Sequence, residues 1–276
     1  MDEDAGAGRG VLYPARLPTF SREQAPPALQ DRVRWFWVPR WRLAPGRTSR
    51  QHVLAFPASN LVVGPDGVVL SGPTTRASSV DLVGEGWVVG ALLRPAGLAS
   101  LHAQPRRVRD AEVPYEAPDL HREVGAAMRG DDEVAGRQRA VAAFAAWAEE
   151  HLAAPDDGGL LANALEDVVA ADRTLVRVDQ LARRLGVSTR AVQRLCERCI
   201  GLPPLAVIRR YRLQEAAQRL REEPGTTVAQ VAADLGYADH AHLSTDFRAA
   251  LGTTPRDYRG GAAGSASERS EDGHRP

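Results

Sequence analysis

Lysine is absent from this 276-residue chain, so all 35 of its basic side chains, histidine aside, are arginines, matched by 35 acidic residues. We attribute the absence to genome composition rather than to chemistry. Cysteine occurs only twice, no apolar run approaches the 18 residues that indicate a membrane span, and no charged-then-apolar leader opens the sequence. These absences argue against membrane-spanning and exported proteins, and they predict a cytoplasmic protein without a membrane partner.

The sequence also lacks the short motifs of common enzymes. It contains no Gly-x-Ser-x-Gly elbow, no P-loop and no dinucleotide-binding glycine pattern. His52 and His102 are the only histidines of the strand-like region, and they form no His-x-His pair and have no carboxylate at metal-ligand spacing. We therefore predict no catalytic residue, no metal site and no cofactor.

The net charge of zero hides an uneven distribution. Residues 173–260 hold 15 arginines against 9 acidic residues, whereas residues 1–172 hold 18 arginines against 23. A basic back half beside an acidic front half is typical of a protein in which one domain faces a polyanion. The length fits two domains.

The pattern along the chain predicts an α+β protein with five parts. Residues 1–28 look like a loosely ordered lead-in, and residues 29–118 contain short β-branched and aromatic runs that predict an antiparallel β-rich domain. Gly64-Pro-Asp-Gly67 predicts a hairpin turn. A helical period follows in residues 119–157, which we expect to connect the domains. Residues 158–260 form the all-α back domain, and residues 261–276 a disordered tail.

The back domain contains the same order of helices and glycines twice. Each copy has a short helix, a glycine-containing turn at Gly186 or Gly236, and a second helix closed by Gly201 or Gly252. This order of elements is typical of a helix-turn-helix, and two in tandem indicate a module that binds double-stranded DNA.

The second helix of the first copy separates an apolar face from a polar one. Val192, Leu195, Cys196 and Cys199 recur at helical spacing and predict the buried face. Arginine can pair bidentately with guanine and glutamine with adenine in the major groove. The candidate base readers are Arg190, Gln193 and Arg194, and the candidate phosphate contacts are Ser188, Thr189 and Arg198. The alternative is a merely solvated basic face, and the tandem repeat favours DNA over it.

The helix predicted between the copies, from Pro204 to Arg221, would span roughly 25 Å at about 1.5 Å per residue. That length would hold two reading helices about one DNA turn apart.

The back domain closely resembles the C-terminal signature of AraC/XylS-type transcription regulators. The resemblance rests on Arg210-Tyr-Arg-Leu-Gln-Glu-Ala216, the run Val228–Asp239, His242-Leu-Ser244, Asp246-Phe-Arg248 and Gly252-Thr-Thr-Pro-Arg-Asp-Tyr258. It implies two helix-turn-helix units joined by a long helix and reading successive major-groove segments. It also implies RNA polymerase as a partner and an activator among the expected roles.

The second copy departs from the first. Alignment of the closing glycines places Ala241 opposite Arg190 and Thr245 opposite Arg194, where the family commonly has arginine. The remaining polar candidates for DNA contact are His240, His242, Ser244, Thr245 and Arg248. We therefore expect the first unit to carry most of the base readout and the second to hold the backbone.

The front domain resembles the sensory half of one branch of the same family. The resemblance rests on Trp35-Phe-Trp-Val-Pro-Arg-Trp41, Phe56-Pro-Ala-Ser-Asn-Leu-Val-Val63 and Leu93-Arg-Pro-Ala-Gly-Leu98, and it implies a cupin-like β-domain that binds an effector or a partner. The candidate effector-binding residues are Trp35, Trp37, Trp41 and Phe56. Core packing is the alternative role for these rings, and we favour it.

Cys196-Glu-Arg-Cys199 has the CxxC spacing of zinc and redox sites. Both thiols fall on the apolar stripe of their helix, so the sequence favours core packing over reactivity.

Together these patterns predict a sequence-specific regulator of transcription, not an enzyme, whose front domain senses a small effector in what we expect to be a homodimer. Two alternatives stay open: a cupin-like small-molecule enzyme fused to a DNA-docking module, and a regulator whose front domain only dimerises.

Overall fold

The computed structural model describes residues 19–53, 56–130 and 132–260. The expected tail over 261–276 and the first 18 residues of the expected lead-in lie outside the described residues. The remainder of that lead-in differs from expectation, because Thr19–Gln24 is a strand paired along its whole length with residues 35–40. Ordered structure therefore begins before residue 29, where the β-rich domain was expected to start.

Among the residues that the structure describes, the front domain has nine antiparallel strands. Seven form one sheet in the order β1-β2-β8-β4-β5-β9, with β7 also paired to β2, while β3 and β6 form a separate two-stranded sheet. The strands are β1 (Thr19–Gln24), β2 (Val33–Arg42), β3 (Thr48–Val53), β4 (Asn60–Gly64), β5 (Gly67–Ser71), β6 (Ser78–Val83), β7 (Glu85–Trp87), β8 (Val89–Leu93) and β9 (Glu112–Pro114).

The predicted hairpin turn is present between β4 and β5. Gly64 and Gly67 are register partners at its end, and Gly67 has a positive φ of 151° that a residue with a Cβ rarely adopts. The turn thus fixes the pairing of these two strands.

Nine α-helices accompany the strands in the described part of the chain. They are α1 (Pro95–Leu101), α2 (Pro118–Met128), α3 (Glu133–His151), α4 (Asp157–Ala171), α5 (Val178–Arg184), α6 (Thr189–Leu195), α7 (Pro204–Glu222), α8 (Val228–Asp234) and α9 (His240–Leu251). Arg94 is the N-cap of α1, and Pro95 occupies the first helical turn, where its missing N–H costs nothing.

Strand β2 shows how the molecule is layered. Phe36 points to the core that the sheet shares with α2 and α3, and its ring lies 5.4 Å from the ring of Phe144 on α3. Trp35 and Trp37, on the alternate face, pack against the core of the first helix-turn-helix. The sheet therefore lies between the α2–α3 pair and the back domain, and α2 and α3 form a layer of the front domain rather than only a connection.

The back domain has two further packing units. Helices α4, α5 and α6 and the first part of α7 share the core that touches the sheet, whereas the second part of α7 packs with α8 and α9 in a separate core. The predicted fold class, an antiparallel β-rich domain followed by a helical domain, is confirmed.

Candidate nucleic-acid interface

The first helix-turn-helix consists of α5, a turn over residues 185–188 and α6. Gly186 occupies the left-handed region at φ 65°, which allows the chain to reverse between the helices. Ser188 is the N-cap of α6, and its hydroxyl accepts a hydrogen bond of 3.1 Å from the Ala191 N–H. The local sequence thus determines where the second helix begins.

Helix α6 continues beyond Leu195 as a π-helical turn over Cys196–Ile200, which ends at Gly201 in the left-handed conformation. The predicted apolar face is buried: Val192, Leu195, Cys196 and Cys199. The prediction that both thiols are core residues is confirmed. Burial raises the pKa of Cys196 to about 12, so its thiol is protonated at neutral pH.

The three candidate base readers project from the opposite face of α6. Arg190, Gln193 and Arg194 are all exposed. Within the described residues, none of the three side chains makes a hydrogen bond or an ion pair, so each can extend into a groove without breaking a contact.

The candidate phosphate contacts of the first unit differ in availability. Thr189 is exposed at the first position of α6, whereas the Ser188 hydroxyl already caps the helix. Arg198 turns back toward α4, where its Nη2 lies 3.0 Å from Oδ1 of Asp156. Phosphate contact by Arg198 therefore competes with this ion pair.

The second helix-turn-helix repeats the first with α8, a turn through Gly236 at φ 69°, and α9. The Thr227 hydroxyl and the Gln230 side chain form a capping box at the start of α8. At the start of α9, the Asp239 carboxylate accepts a hydrogen bond of 2.7 Å from the His242 N–H. Gly252 closes α9 in the left-handed conformation, as Gly201 closes the first unit.

The outward face of α9 offers shorter polar groups than that of α6. The Ser244 hydroxyl donates to the His240 carbonyl at 2.7 Å, and the Thr245 hydroxyl donates to the Ala241 carbonyl at 3.0 Å. Both hydroxyls are thus engaged by their own helix. The His242 ring packs edge-on against Tyr237, with centroids 5.2 Å apart. His240 and Arg248 complete the set of exposed candidates.

Helix α7 joins the two units with 19 residues, or about 28 Å at the usual helical rise. Its Arg212 is 8% exposed; Nε donates 2.8 Å to the Leu235 carbonyl, and the guanidinium carbon lies 3.9 Å from the Tyr237 ring centre. Arg210, also buried, donates to the Ala250 carbonyl at 3.3 Å. These two arginines hold α8 and α9 against α7, a positioning role that sequence reasoning missed although both lie within the quoted signature.

The four candidate effector residues do not share one pocket. Trp35, Trp37 and Phe56 pack into the core of the first helix-turn-helix, and the Phe56 ring lies 5.2 Å from Trp35 and 6.0 Å from Tyr211 on α7. Trp41 lies elsewhere, over Gly86, where it borders an open cleft of about 370 Å³ that also contains Trp87 and Arg40. Three of the four rings thus occupy the contact between the domains.

A buried ionic group reinforces that contact. Glu166 on α4 is 3% exposed, and its Oε2 lies 3.0 Å from Nη2 of Arg34 on β2 and 3.5 Å from Nε of Arg94. Its Oε1 accepts a 2.9 Å hydrogen bond from the Tyr211 hydroxyl. Burial, followed by the Glu166 charge, raises the pKa of Tyr211 well above its usual value, so this hydroxyl stays a donor. Front domain, α4 and α7 therefore meet at one carboxylate.

Two further observations on the described residues concern metal ligands and membrane spans. No group of three or more His, Cys, Asp or Glu side chains in ranges 19–53, 56–130 and 132–260 is arranged to hold a metal ion. None of the described helices has both the length and the apolar composition needed to cross a membrane.

Comparison with known proteins supports the identification of the back domain. Residues 181–261 match the family of the helix-turn-helix domain, and residues 21–113 match a domain of unknown function, DUF6597. The chain is 33% identical over 109 residues to a Streptomyces lividans protein named as an AraC-like transcription regulator, covering 37% of this chain and 36% of that protein. It is 34% identical over 89 residues to the transcriptional activator RhaS of Escherichia coli strain SE11, covering 32% of each.

The chain therefore spans about a third of the length of these curated relatives, and its back part contains a helix-turn-helix domain that is similar to those of AraC-like regulators. Among solved structures, ToxT from Vibrio cholerae O395 aligns over 83% of this chain and 98% of its own, at 14% identity and a TM-score of 0.45. An AraC-type regulator from Chromobacterium violaceum aligns over 37% of this chain and 91% of its own, at 27% identity and a TM-score of 0.34.

Proposed function

We propose that this chain regulates transcription by binding double-stranded DNA through its two helix-turn-helix units. The observation that carries the proposal is the outward face of α6, where Arg190, Gln193 and Arg194 project without a partner among the described residues. Long side chains of these types read base edges in the major groove. Residues 173–260 contain more arginines than acidic residues. This excess of positive charge supports the back domain as the part that contacts the DNA phosphates.

The two units have different tasks in this proposal. The first reads bases through Arg190, Gln193 and Arg194, with Ser188, Thr189 and Arg198 beside the phosphates. The second mainly contacts the backbone through His240, His242, Ser244, Thr245 and Arg248. The outward residues of the second unit support this division, because Ala241 and Thr245 stand where the first unit has Arg190 and Arg194.

The front domain, in this proposal, transmits the presence of a small effector to the DNA-binding units. Support comes from Trp35, Trp37 and Phe56, which belong to the same core as the first helix-turn-helix. A ligand that changed the packing of these rings would change the position of α4 and α7. A ligand that binds only the folded chain raises its melting temperature, so thermal-shift screening of metabolites tests this part.

The remaining parts of the proposal rest on similarity alone. RhaS is named as a transcriptional activator, and we propose activation for this chain as well. Contact with RNA polymerase, a homodimer and a cytoplasmic location are proposed from the resemblance noted in the sequence. No enzymatic step is included. Sedimentation analysis of the purified chain tests the dimer directly.

Selection of bound sequences from a random DNA library, followed by titration, tests the central proposal. A sequence-specific regulator binds its selected site about 10³ to 10⁷ times more tightly than random DNA at physiological salt. Enriched sequences that bind no more tightly than random duplex would refute sequence-specific regulation.

A further inference from the structure

Two loops of the front domain carry a group of arginines beside the DNA-binding units. We call Arg76, Arg106, Arg107 and Arg109 the basic ridge. Arg106 and Arg107 lie in the 3₁₀ turn Pro105–Val108, Arg109 follows it, and Arg76 precedes β6. All four side chains are exposed. None of these residues was among the sequence-based candidates for DNA contact.

The first loop of the ridge contacts the end of the first reading helix. Nη1 of Arg106 lies 2.9 Å from Oε1 of Glu197, which continues the outward stripe of Arg190 and Arg194 at helical spacing. The backbone of Pro105 packs closely on Gly201. A Cβ on Gly201 would lie only 2.8 Å from the Pro105 carbonyl group. The ridge therefore begins on the same side of α6 as the reading stripe.

The second loop contacts the second unit. The Arg76 carbonyl accepts a 2.9 Å hydrogen bond from Nη2 of Arg210, the arginine that also holds Ala250 at the end of α9. Ala77 lies 3.7 Å from where a Cβ on Gly252 would be. The ridge thus extends between the closing glycines of both helix-turn-helix units.

Asp110 joins the two loops into one surface. Its carboxylate accepts hydrogen bonds from the Thr74 hydroxyl at 2.8 Å and the Thr75 N–H at 3.2 Å, and it lies 3.8 Å from Arg76 and 3.6 Å from Arg109. Asp110 has a φ of 57°, and it is the one non-glycine residue with positive φ among those the structure describes. A left-handed backbone is strained in most residues with a Cβ and is tolerated best by Asn and Asp.

Charge and availability indicate what binds the ridge. Three guanidinium groups pair with two carboxylates, those of Arg76 and Arg109 with Asp110 and that of Arg106 with Glu197, and Arg107 makes no side-chain hydrogen bond or ion pair with any described residue. A positive surface continuous with a DNA-reading stripe complements the phosphates that flank the groove.

We infer that the basic ridge of the front domain contacts the DNA backbone next to the segment read by α6. This inference rests on the proposed function. It makes the front domain a direct part of the DNA-binding surface, so that movement of this domain would change DNA affinity without any change in the reading helices.

The test is a salt titration of the full chain on a fluorescent random-sequence duplex of about 30 base pairs. Each phosphate contact contributes about −0.9 to the slope of log K against log salt, or a three- to four-fold change in affinity between 50 and 200 mM salt. We expect Arg107→Ala to reduce the slope by about one contact, and Arg107→Lys to restore it, since lysine keeps the charge. The double variant Arg106→Ala/Glu197→Gln, which removes the pair together, should also reduce the slope.

Arg139→Ala is the matched control. Arg139 is exposed on α3, across the sheet from the back domain, and its loss changes the net charge by the same amount. An unchanged slope in Arg107→Ala, with wild-type chain binding the duplex, would overturn the inference. Failure of the wild-type chain to bind any duplex, including its selected sequences, would instead overturn the proposed function and this inference with it.

Discussion

At the scale of single residues, α6 and α9 differ in the side chains that face outward. The two helices share a scaffold, with an N-cap at Ser188 or Asp239 and a left-handed glycine at the end. They differ in what they present outward, because Arg190 and Arg194 have Ala241 and Thr245 as counterparts in the second unit. Identical scaffolds with different outward residues allow the reading function to be tested by matched substitutions.

Arg194→Ala should cost about 1–3 kcal/mol of binding to the selected site, with a smaller effect on random DNA, because a bidentate base contact is lost. Folding should be unaffected, since the side chain has no partner among the described residues. Thr245→Ala is the matched control in the second unit and should leave sequence preference unchanged. Equal weakening of selected and random DNA by Arg194→Ala would exclude base readout by this residue.

The thiol of Cys196 should react slowly in the folded protein. Burial raises its pKa to about 12, so at pH 8 the reactive thiolate is a very small fraction. We expect little reaction of the native chain with a thiol reagent at pH 8 and full reaction of both cysteines in denaturant. Rapid reaction of two thiols in the native state would contradict core packing of the CxxC segment.

At the scale of elements, the turn glycine and the closing glycine of the first unit have different requirements. Gly186 and Gly201 both have positive φ, at 65° and 83°, but only Gly201 has backbone atoms of another loop against it. At Gly186 nothing lies within 4 Å of a Cβ position, whereas at Gly201 the Pro105 carbonyl group lies 2.8 Å away. The backbone conformation alone therefore requires glycine at Gly186. At Gly201, both the backbone conformation and the contact with Pro105 require it.

Gly186→Ala should lower the free energy of unfolding by about 1 kcal/mol through backbone strain alone. Gly201→Ala should lower it further, because the loop at Pro105 must also move. Urea denaturation of both variants, followed by circular dichroism, measures the difference. Equal losses would show that the contact between Gly201 and Pro105 contributes nothing to stability.

Elements set by local chemistry were predictable from the sequence. The β4–β5 hairpin, the turns at Gly186 and Gly236, and the Ser188 cap follow from residues that act within a few positions. The strand β1 was missed because its pairing with β2 is made by residues distant in the chain. The π-helical turn at Cys196–Ile200 was missed as well, because the apolar residues around it keep the spacing of an ordinary α-helix.

At the scale of the whole molecule, the domains are joined by a shared core and by the ionic group at Glu166. Sequence patterning identified the apolar face of each element but could not show that Trp35, Trp37 and Phe56 pack against the back domain. Nor could it show that Arg34 and Arg94 converge on one carboxylate, since these contacts join segments more than 70 residues apart. Packing between domains is a property of the folded chain and has no local signal.

Glu166→Ala should destabilise the whole chain by up to about 3–5 kcal/mol, since Arg34 and Arg94 lose a buried carboxylate and retain the half-exposed Asp167 as their acidic partner. Urea unfolding monitored by tryptophan fluorescence and by circular dichroism should give coincident transitions for wild type, because the sheet and the first unit share a core. Glu149→Ala on the exposed face of α3 should change stability by less than about 0.5 kcal/mol. Similar effects of the two substitutions would show that the ionic group does not join the domains.

The most direct test of the central claim, that the first unit reads the sequence, is selection from random DNA with two matched double variants. Arg190→Ala/Arg194→Ala removes the two candidate arginine readers of α6, and His240→Ala/Arg248→Ala removes exposed polar groups of α9. We expect the α6 variant to lose the base preferences of the wild-type motif. We expect the α9 variant to keep the motif and to bind selected and random DNA more weakly by the same factor. Retention of the full motif by the α6 variant and its loss in the α9 variant would contradict the account.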